Sequence, residues 1–216
     1  MKKIVGLTGT CCAGKNFVAS ILEEQGLPVL DLDKLGHQVI ETEKERILGC
    51  LGEDILAANG LIDRKRLGEK VFGKPEKLSA LEEIIHPAVN RETMSWISGR
   101  NEKACVINAA LLHRSSAFEV MDAIILVEAP LIVRLLRAKK RDNLPWPALI
   151  KRFRSQRGFH SQYCKKKTDI YRVGNPSGCV NFGHFGFGKR RSCQARTDRT
   201  AIENRIKEIL SLLGIM

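Results

Sequence analysis

The hydrophobic positions of this chain fall into short apolar runs that are separated by longer stretches with helical spacing. The apolar runs are Ile4–Leu7, Leu27–Leu30, Cys105–Ala109 and Ile124–Val127, each bounded by turn residues. Runs of this length predict buried strands, and their alternation with helical segments predicts a parallel sheet covered by helices. We therefore expect an α/β fold.

The stretches between the strands differ greatly in length. A helix is predicted over Lys15–Gln25, with Gly26 as its left-handed C-cap. A mainly helical excursion follows over about residues 34–99, which is too long for a plain crossover. Its helix candidates are Glu43–Leu51, Lys65–Phe72 and Lys77–Ile85. We interpret this excursion as a helical subdomain for a second substrate, within a single domain over residues 1–216.

The second half of the chain has further helical stretches and a segment of different amino-acid composition. Helices are predicted over Leu131–Lys140, Pro147–Gln156 and about Thr200–Leu213. Apolar residues recur at helical spacing in the last of them, which predicts a buried face made of Ile202, Ile206, Ile209, Leu210 and Leu213. Residues 174–199 are instead rich in Gly, Phe and basic side chains, and no regular structure is expected over 175–191.

His86 and Pro87 follow the helical pattern of Lys77–Ile85 and predict its end. A histidine suits the C-terminal end of the helix dipole, and a proline cannot continue the hydrogen-bond ladder. Nothing in the sequence near His86 makes it catalytic.

The first strand runs into a glycine-rich loop. Gly9, four further residues and Gly14-Lys15 fit a phosphate-binding loop, whose backbone N–H groups surround a β-phosphate and whose lysine reaches the β- and γ-phosphate oxygens. The pattern ends in a Ser or Thr that ligates Mg²⁺, whereas this chain has Asn16. The alternative is a strand-to-helix turn that binds nothing. The candidate nucleotide-binding residues are Gly9, Cys11, Cys12, Ala13, Gly14, Lys15, Asn16 and Phe17.

Composition narrows the class of protein. The chain has 216 residues, 44% of them hydrophobic, which is enough for one domain with a substantial core. No apolar run approaches the roughly 18 residues that a membrane span needs. Lys2-Lys3 is not followed by the apolar stretch of a signal peptide. We expect a cytoplasmic protein without a membrane partner.

Seven cysteines are present, an odd number without C-x-x-C spacing. This pattern indicates neither a disulfide framework nor a zinc site, and reduced thiols are the simpler interpretation. Cys11 and Cys12 lie in the glycine-rich loop at a predicted helix N-terminus, a position that lowers the pKa of a thiol. Redox sensitivity at this pair is the alternative hypothesis.

The net charge of +12 is concentrated in one segment. Residues 151–199 contain thirteen Lys or Arg and two Asp, which leaves a net charge of +1 for the rest of the chain. A local field of this sign favours a polyanionic partner, either a multiply phosphorylated small molecule or a nucleic acid. For residues 174–199 the alternatives are an exposed loop, a sequencing artefact, or a loop that binds RNA or phosphate.

Two groups of charged residues are candidates for phosphoryl-transfer chemistry. Asp31 and Asp33 follow the second strand at the carboxyl edge of the sheet, where one carboxylate would accept a substrate hydroxyl proton. The structural alternatives are a helix N-cap for Asp33 and a partner of a backbone N–H for Asp31. Arg134, Arg137 and Arg141 recur along one helical stripe, either as a phosphate clamp or as a solvated face.

Six motifs occur in order along residues 1 to about 173. They are Gly6–Gly9 with Gly14-Lys15, Val29–Asp33 with Gly36-His37, Leu61–Arg64 with Val71-Phe72, Leu81-Glu82 with Ile85–Pro87, Leu111-Leu112, and Arg137–Arg141 with Arg154–Gln156. Together they resemble the dephospho-CoA kinase family, P-loop kinases that phosphorylate the ribose 3′-hydroxyl of dephospho-CoA in the last step of coenzyme A synthesis. The Asp-x-Asp and Leu-Glu…His-Pro motifs separate this family from adenylate, shikimate and nucleoside kinases.

The resemblance implies a P-loop kinase fold and roles for particular residues. Lys15 would bind the γ-phosphate of ATP, and Asp33 would be the general base. Arg137 and Arg141 would belong to a helical lid over about residues 131–160. The helical excursion would hold dephospho-CoA. The candidate contacts with the substrate are Asp31, His86 and Leu111, and the candidate Mg²⁺ ligand is Asn16.

The chain departs from the family pattern at several places. Thr10 and Cys12 stand where glycines are usual, Asn16-Phe17 replaces a Ser-Thr pair, and Ala110–Arg114 replaces Pro-Leu-Leu-Phe-Glu. The closing Asp-x-x-x-x-Asn motif begins at Asp169 but has no clean match. The amide oxygen of an asparagine still ligates Mg²⁺, but a disturbed metal environment costs about 10- to 100-fold in affinity or activity.

The residues leave three functions open. The first is an ATP-dependent dephospho-CoA kinase, and the second is a P-loop kinase with another nucleoside-like acceptor. The third is a regulator that binds ATP or CoA without turnover, with the basic segment over 174–199 on a nucleic acid. Catalysis is favoured because a base, a γ-phosphate ligand and an arginine clamp are retained together.

Overall fold

The computed structural model describes residues 2–154, 163, 168–176 and 190–216. They separate into two compact units. Unit 1 comprises Met1–Val29, Asn101–Arg114 and Phe118–Met216, and unit 2 comprises Leu30–Arg100 and Ser115–Ala117. The end of the predicted lid, residues 155–160, and residues 177–189 of the basic segment lie outside the described residues.

One sheet of five strands, in the order β2-β3-β1-β4-β5, is formed by the described residues. The strands are β1 Lys3–Gly9, β2 Val29–Asp31, β3 Ala104–Asn108, β4 Ala123–Glu128 and β5 Asp169–Gly174. β1 pairs in parallel with β3 and β4, and β4 pairs in parallel with β5. The predicted α/β fold is confirmed, with β1 at the centre of the sheet.

The central strands are apolar because both of their faces are covered. Val5 and Leu7 of β1 have no exposed surface, and every residue of β3 is buried. The sequence of a strand that is buried on both faces is a continuous run of apolar residues. This is why the pattern of the sequence located β1, β3 and β4.

The edge strand β5 was not predicted from the sequence. Its residues are exposed or partly exposed, and only Val173 among them is buried. β5 pairs with β4 on one side, and its charged residues Asp169 and Arg172 interrupt the apolar pattern. An edge strand with so little burial carries a weak hydrophobic signal.

Eight α-helices are assigned in the described part of the chain. They are α1 Lys15–Glu24, α2 Leu32–Thr42, α3 Lys44–Leu51, α4 Arg64–Val71, α5 Pro75–Ser98, α6 Leu131–Asp142, α7 Trp146–Arg154 and α8 Arg190–Leu212. Gly26 ends α1 with a φ of 83°, which confirms the predicted left-handed cap. None of the described helices is long and apolar enough to cross a membrane.

The C-terminal helix α8 packs its apolar face into the core of unit 1. Ile202, Ile206, Ile209 and Leu210 are buried in one cluster with residues of β1 and α1, and Leu213 packs against that cluster. The predicted buried face is therefore confirmed. The helix begins at Arg190, about ten residues before its expected start, so Arg190 and Arg191 are helical rather than irregular.

The predicted end of a helix at His86 and Pro87 is wrong. Both residues lie inside α5, which continues to Ser98. A proline inside a helix removes one hydrogen bond and costs about 3 kcal/mol. Pro87 is exposed, whereas the buried positions of α5 continue past it on the other side of the helix. The stabilisation gained by burying that face exceeds the free-energy cost of the proline. These buried positions are Leu81, Ile84, Ala88, Thr93 and Ile97.

Candidate functional site

The glycine-rich loop joins β1 to α1 in unit 1. β1 ends at Gly9, and the N–H of Ala13 donates a hydrogen bond of 3.0 Å to the carbonyl of Thr10. Gly14 then precedes α1 with a φ of 97°. The N–H groups at the start of a helix have no partner within the helix, and they favour an anion there. The predicted strand–loop–helix geometry of a phosphate-binding loop is therefore present.

Arg137 of α6 braces this loop from the side of its carbonyl groups. Its Nη1 donates to the carbonyl oxygens of Cys12 and Ala13, each at 3.1 Å. Its Nη2 donates to the carbonyl of Asn175 at 3.2 Å. Two successive carbonyls held by one planar guanidinium fix the peptide planes of the loop. The partly buried Arg137 thus acts on the shape of the loop.

Asn175, which directly follows β5, is the second brace of the loop. Its Nδ2 donates to the carbonyl of Ala13 at 2.9 Å, and its own N–H donates to the carbonyl of Glu128 at 2.7 Å. Asn175 is 1% exposed. A Cβ added to Gly14 would lie 2.0 Å from Nδ2 of Asn175, so this side chain leaves no room for any residue but glycine.

The three arginines of the predicted stripe have different partners. Whereas Arg137 contacts the loop, Arg141 donates from Nε and Nη2 to the carboxylate of Asp142 at 2.7 and 3.0 Å. Arg152 of α7 donates to the same carboxylate at 2.8 Å. The hydrogen bond from Arg141 is the main cause that lowers the pKa of Asp142. The guanidinium of Arg134 instead lies 5.3 Å from the ring centre of Phe153.

The thiols of Cys11 and Cys12 contact each other in the middle of the loop. Their sulfur atoms are 3.7 Å apart, and both residues are partly exposed. The hydrogen bond from Cys12 lowers the pKa of Cys11 to about 6, and Arg152 and Arg141 lower it further. The same hydrogen bond raises the pKa of Cys12, and burial raises it further. Cys11 is therefore the more acidic thiol of the pair.

Asn16 and Phe17 stand in the first turn of α1, and Asn16 occupies the Ser or Thr position of the phosphate-loop pattern. Asn16 is exposed, and its Oδ1 lies 3.5 Å from Nδ2 of Asn108 at the end of β3. That long contact leaves the amide oxygen accessible as a hard ligand. Phe17 packs against the core of unit 1, and the guanidinium of Arg199 lies 5.9 Å from its ring centre.

Tyr163 forms a second polar cluster beside the strand that leads to the loop. Its hydroxyl lies 3.3 Å from the hydroxyl of Thr8 and 3.3 Å from Nδ1 of His113. Tyr163 is 1% exposed, and burial raises its pKa, so the phenol keeps its proton. The hydroxyl links β1 to the segment after β3. This segment also contains the predicted substrate contact Leu111, which is exposed.

The other predicted acceptor-side residues belong to unit 2. Asp31 caps α2, because its Oδ1 accepts hydrogen bonds from the N–H groups of Asp33 and Lys34 at 3.0 and 3.1 Å. The structural alternative for Asp31 is thus confirmed, and that for Asp33 is wrong: Asp33 is an exposed residue of the first turn of α2. His86 is exposed in the middle of α5.

Comparison with known proteins shows the family to which this chain belongs. Residues 3–170 match the family model described as dephospho-CoA kinase. The chain belongs to the dephospho-CoA kinase family. The dephospho-CoA kinase of Shouchella clausii is 37% identical over 146 residues, which cover 65% of this chain and 74% of the relative. The dephospho-CoA kinase of Halalkalibacterium halodurans is 34% identical over 165 residues, which cover 74% of this chain and 82% of the relative.

The fold is that of the P-loop kinases. The solved dephospho-CoA kinase of Campylobacter jejuni superimposes with a TM-score of 0.66 at 22% identity, covering 100% of both chains. Membership of the family supports the last step of coenzyme A synthesis, a kinase reaction that transfers phosphate to dephospho-CoA. It also implies the use of ATP. The alternative of a binding protein without turnover is not favoured.

Sequence reasoning missed two residues of the loop's surroundings. Asn175 lies six residues after Asp169, one more than the Asp-x-x-x-x-Asn spacing allows. A search that tolerated one inserted residue would have found it. Tyr163 lies apart from any motif. The only signal for its cluster was the histidine at position 113 in the altered segment Ala110–Arg114.

Proposed function

We propose that this chain phosphorylates the ribose 3′-hydroxyl of dephospho-CoA with ATP and Mg²⁺, with the β1–α1 loop as the site of the ATP phosphates. The observation that carries this proposal is the loop itself. Its Cys12 and Ala13 carbonyls are held by Arg137 and Asn175, so its backbone is preorganised before a nucleotide arrives. Preorganised donors are the main contribution of a protein to phosphoryl transfer.

The proposal assigns the proton transfer to Asp33. Asp31 supplies the cap of α2, so the capping role does not occupy the Asp33 carboxylate. Asp33 stands in the first turn of that helix and is exposed. A carboxylate in this position would accept the proton of the attacking hydroxyl and orient its oxygen. Asp31, His86 and Leu111 remain proposed contacts of dephospho-CoA.

Lys15 and the arginines of α6 would act on the phosphates. Lys15 begins α1, directly after the braced loop, where its ammonium group would bind the γ-phosphate. The Nη atoms of Arg137 donate hydrogen bonds to backbone carbonyls of the loop and of Asn175. We therefore assign Arg137 mainly to positioning. Arg141 is exposed, and its link to Asp142 is between adjacent residues. Arg141 is therefore the better candidate for a direct phosphate contact.

Asn16 fits a Mg²⁺ site that is completed by substrate oxygens. Its amide oxygen is hard and exposed, and no group of three or more His, Cys, Asp or Glu side chains that could hold a metal occurs among the described residues. Kinase Mg²⁺ ions are usually held by one or two protein ligands, waters and phosphates. When bound, Mg²⁺ neutralises the charge that develops on the phosphates.

The function is tested by ADP production with ATP and Mg²⁺ and a panel of acceptors: dephospho-CoA, adenosine, AMP and shikimate. We expect ADP with dephospho-CoA alone. Turnover with another nucleoside-like acceptor in its place would support the second candidate acceptor class. Measurable ATP binding without turnover on any of the four would contradict the proposal.

Replacing Asn16 tests the metal assignment. Asn16→Ser restores the hydroxyl of the phosphate-loop pattern, and we expect it to raise the rate at limiting Mg²⁺ by about tenfold, because a perturbed metal environment costs this much or more. The rate at saturating Mg²⁺ should change less. The measurement is a Mg²⁺ titration of the initial rate for both proteins. Superimposable titration curves would rule out Asn16 as a ligand.

A further inference from the structure

The Cys11–Cys12 pair has no task in the proposed mechanism. A phosphate-binding loop uses its backbone N–H groups, and the side chains at these two positions are not part of its pattern. Even so, the two thiols are in contact and partly exposed. They lie between Gly9 and Gly14, in the part of the loop that would surround the phosphates.

We propose that Cys11 is a site of reversible thiolation by small anionic disulfides, and that the resulting adduct excludes the nucleotide. The inference extends beyond the kinase reaction to a modification of the chain itself. Its evidence is the contact of the two thiols, the cationic side chains around Cys11 and the position of the pair within the phosphate loop.

The surroundings of Cys11 favour an anionic reagent. Arg152 and Arg141 both lower the pKa of Cys11, because their positive charges favour its thiolate. Asp142 is the counterion of both arginines and leaves a net positive charge in this group. Cationic side chains that attract the phosphates of ATP also attract carboxylates or phosphates attached to a disulfide.

The two cysteines have unequal roles. The pKa of Cys11 is about 6, so a thiolate is available at neutral pH. The pKa of Cys12 is raised, so its thiol is the less acidic of the two. The carbonyl of Cys12 is also held by Arg137. We therefore expect one adduct on the loop, at Cys11.

The chemical step is a thiol–disulfide exchange. The Cys11 thiolate attacks one sulfur of the small disulfide, a new S–S bond forms, and the original S–S bond breaks. The second half of the reagent leaves as a thiolate and takes a proton from water. Cys11 is oxidised to a mixed disulfide while one half of the reagent is reduced to a thiol. A small dithiol reverses the exchange and restores the Cys11 thiolate.

The experiment treats the full chain with either oxidised glutathione, which is anionic, or cystamine, which is cationic, at equal concentration and neutral pH. Adduct formation at each cysteine is followed by intact mass and peptide mapping. At Cys11 we expect oxidised glutathione to react faster by roughly five- to tenfold, because the nearby charges are positive. Saturating Mg-ADP should slow that reaction at least tenfold, and dithiothreitol should remove the adduct.

Two controls accompany the comparison. Cys50 is an exposed cysteine of unit 2 and serves as the internal reference, at which Mg-ADP should have little effect. Arg152→Gln should reduce the preference of Cys11 for the anionic reagent by severalfold, because it removes one of the two positive charges. Glutathione and cystamine reacting equally at Cys11, or an adduct that forms only elsewhere, would overturn the inference.

Nucleotide binding is measured separately by calorimetry. If Mg-ADP binds and does not protect Cys11, the claim that the adduct and the nucleotide compete is wrong. If Mg-ADP does not bind, the proposed phosphate site fails, while the two disulfides still decide whether Cys11 is a charge-selective thiolation site. The failure of the proposed function and the failure of this inference are therefore distinguishable.

Discussion

Replacing Asp33 with asparagine is expected to lower kcat for dephospho-CoA by about 10²- to 10⁴-fold, the usual contribution of a positioned general base. The amide keeps the size and the hydrogen-bonding ability of the side chain but does not accept the proton of the attacking hydroxyl. The affinity for ATP should stay within about twofold. Initial rates and ATP titrations for the wild type and Asp33→Asn measure both quantities.

Asp31 provides the matched control for this substitution. Asn is as good an N-cap as Asp, so Asp31→Asn should leave the cap of α2 and the free energy of unfolding nearly unchanged. We expect its loss of kcat to be at least tenfold smaller than that of Asp33→Asn. If Asp31→Asn loses as much as Asp33→Asn, or Asp33→Asn keeps full activity, the assignment of the base to Asp33 is wrong.

Replacing Gly14 with alanine is expected to destabilise the fold by about 3 kcal/mol and to abolish measurable ATP binding. The φ of 97° strains any residue with a side chain, and the new methyl group would lie 2.0 Å from Nδ2 of Asn175. Asn175 would have to move, which would break its hydrogen bond to Ala13 and disturb its contact with Arg137. Urea denaturation and calorimetric ATP titration measure the two losses.

Gly26 separates strain from crowding in this experiment. It has a similar φ of 83°, but a Cβ built on it meets no atom within 4 Å. Gly26→Ala should therefore cost only the left-handed conformation, about 1 kcal/mol, and should keep ATP binding. Equal destabilisation by the two substitutions would show that the Asn175 side chain yields to the methyl group without cost.

Elements that rest on a local motif or a continuous apolar run were predictable from the sequence. β1 and α1 combine a buried apolar strand, a glycine pattern and a glycine cap, and all three signals agree. The edge strand β5 was not found because only Val173 of it is buried. Its strand conformation depends on pairing with β4, which is distant in sequence and leaves no local pattern.

The error at Pro87 has a different origin. The sequence rule weighs the local cost of a proline, but the outcome also depends on what the rest of the helix buries. Ala88 and Ile97 lie on the buried side of α5 beyond the proline, and Pro87 itself is exposed. Stabilisation from packing therefore exceeded a cost of about 3 kcal/mol.

The composition of the site was predictable only where its residues are close in sequence. The run from Gly9 to Asn16 carries its own pattern. The braces of the loop come from positions 137 and 175, and only the first was singled out, as a phosphate clamp. Both donate to backbone carbonyls, which have no residue identity, so no sequence pattern records these contacts.

The placement of β1 at the centre of the sheet also determines when its contacts become available during synthesis. β1 pairs with β3 and β4, and the core around β1 and α1 is completed by Ile202, Ile206 and Ile209 of α8. A ribosome therefore releases the phosphate loop long before the segments that support it. Folding that depends on such distant contacts is slow and leaves apolar strands exposed meanwhile. The core around β1 is therefore complete only after α8 has emerged.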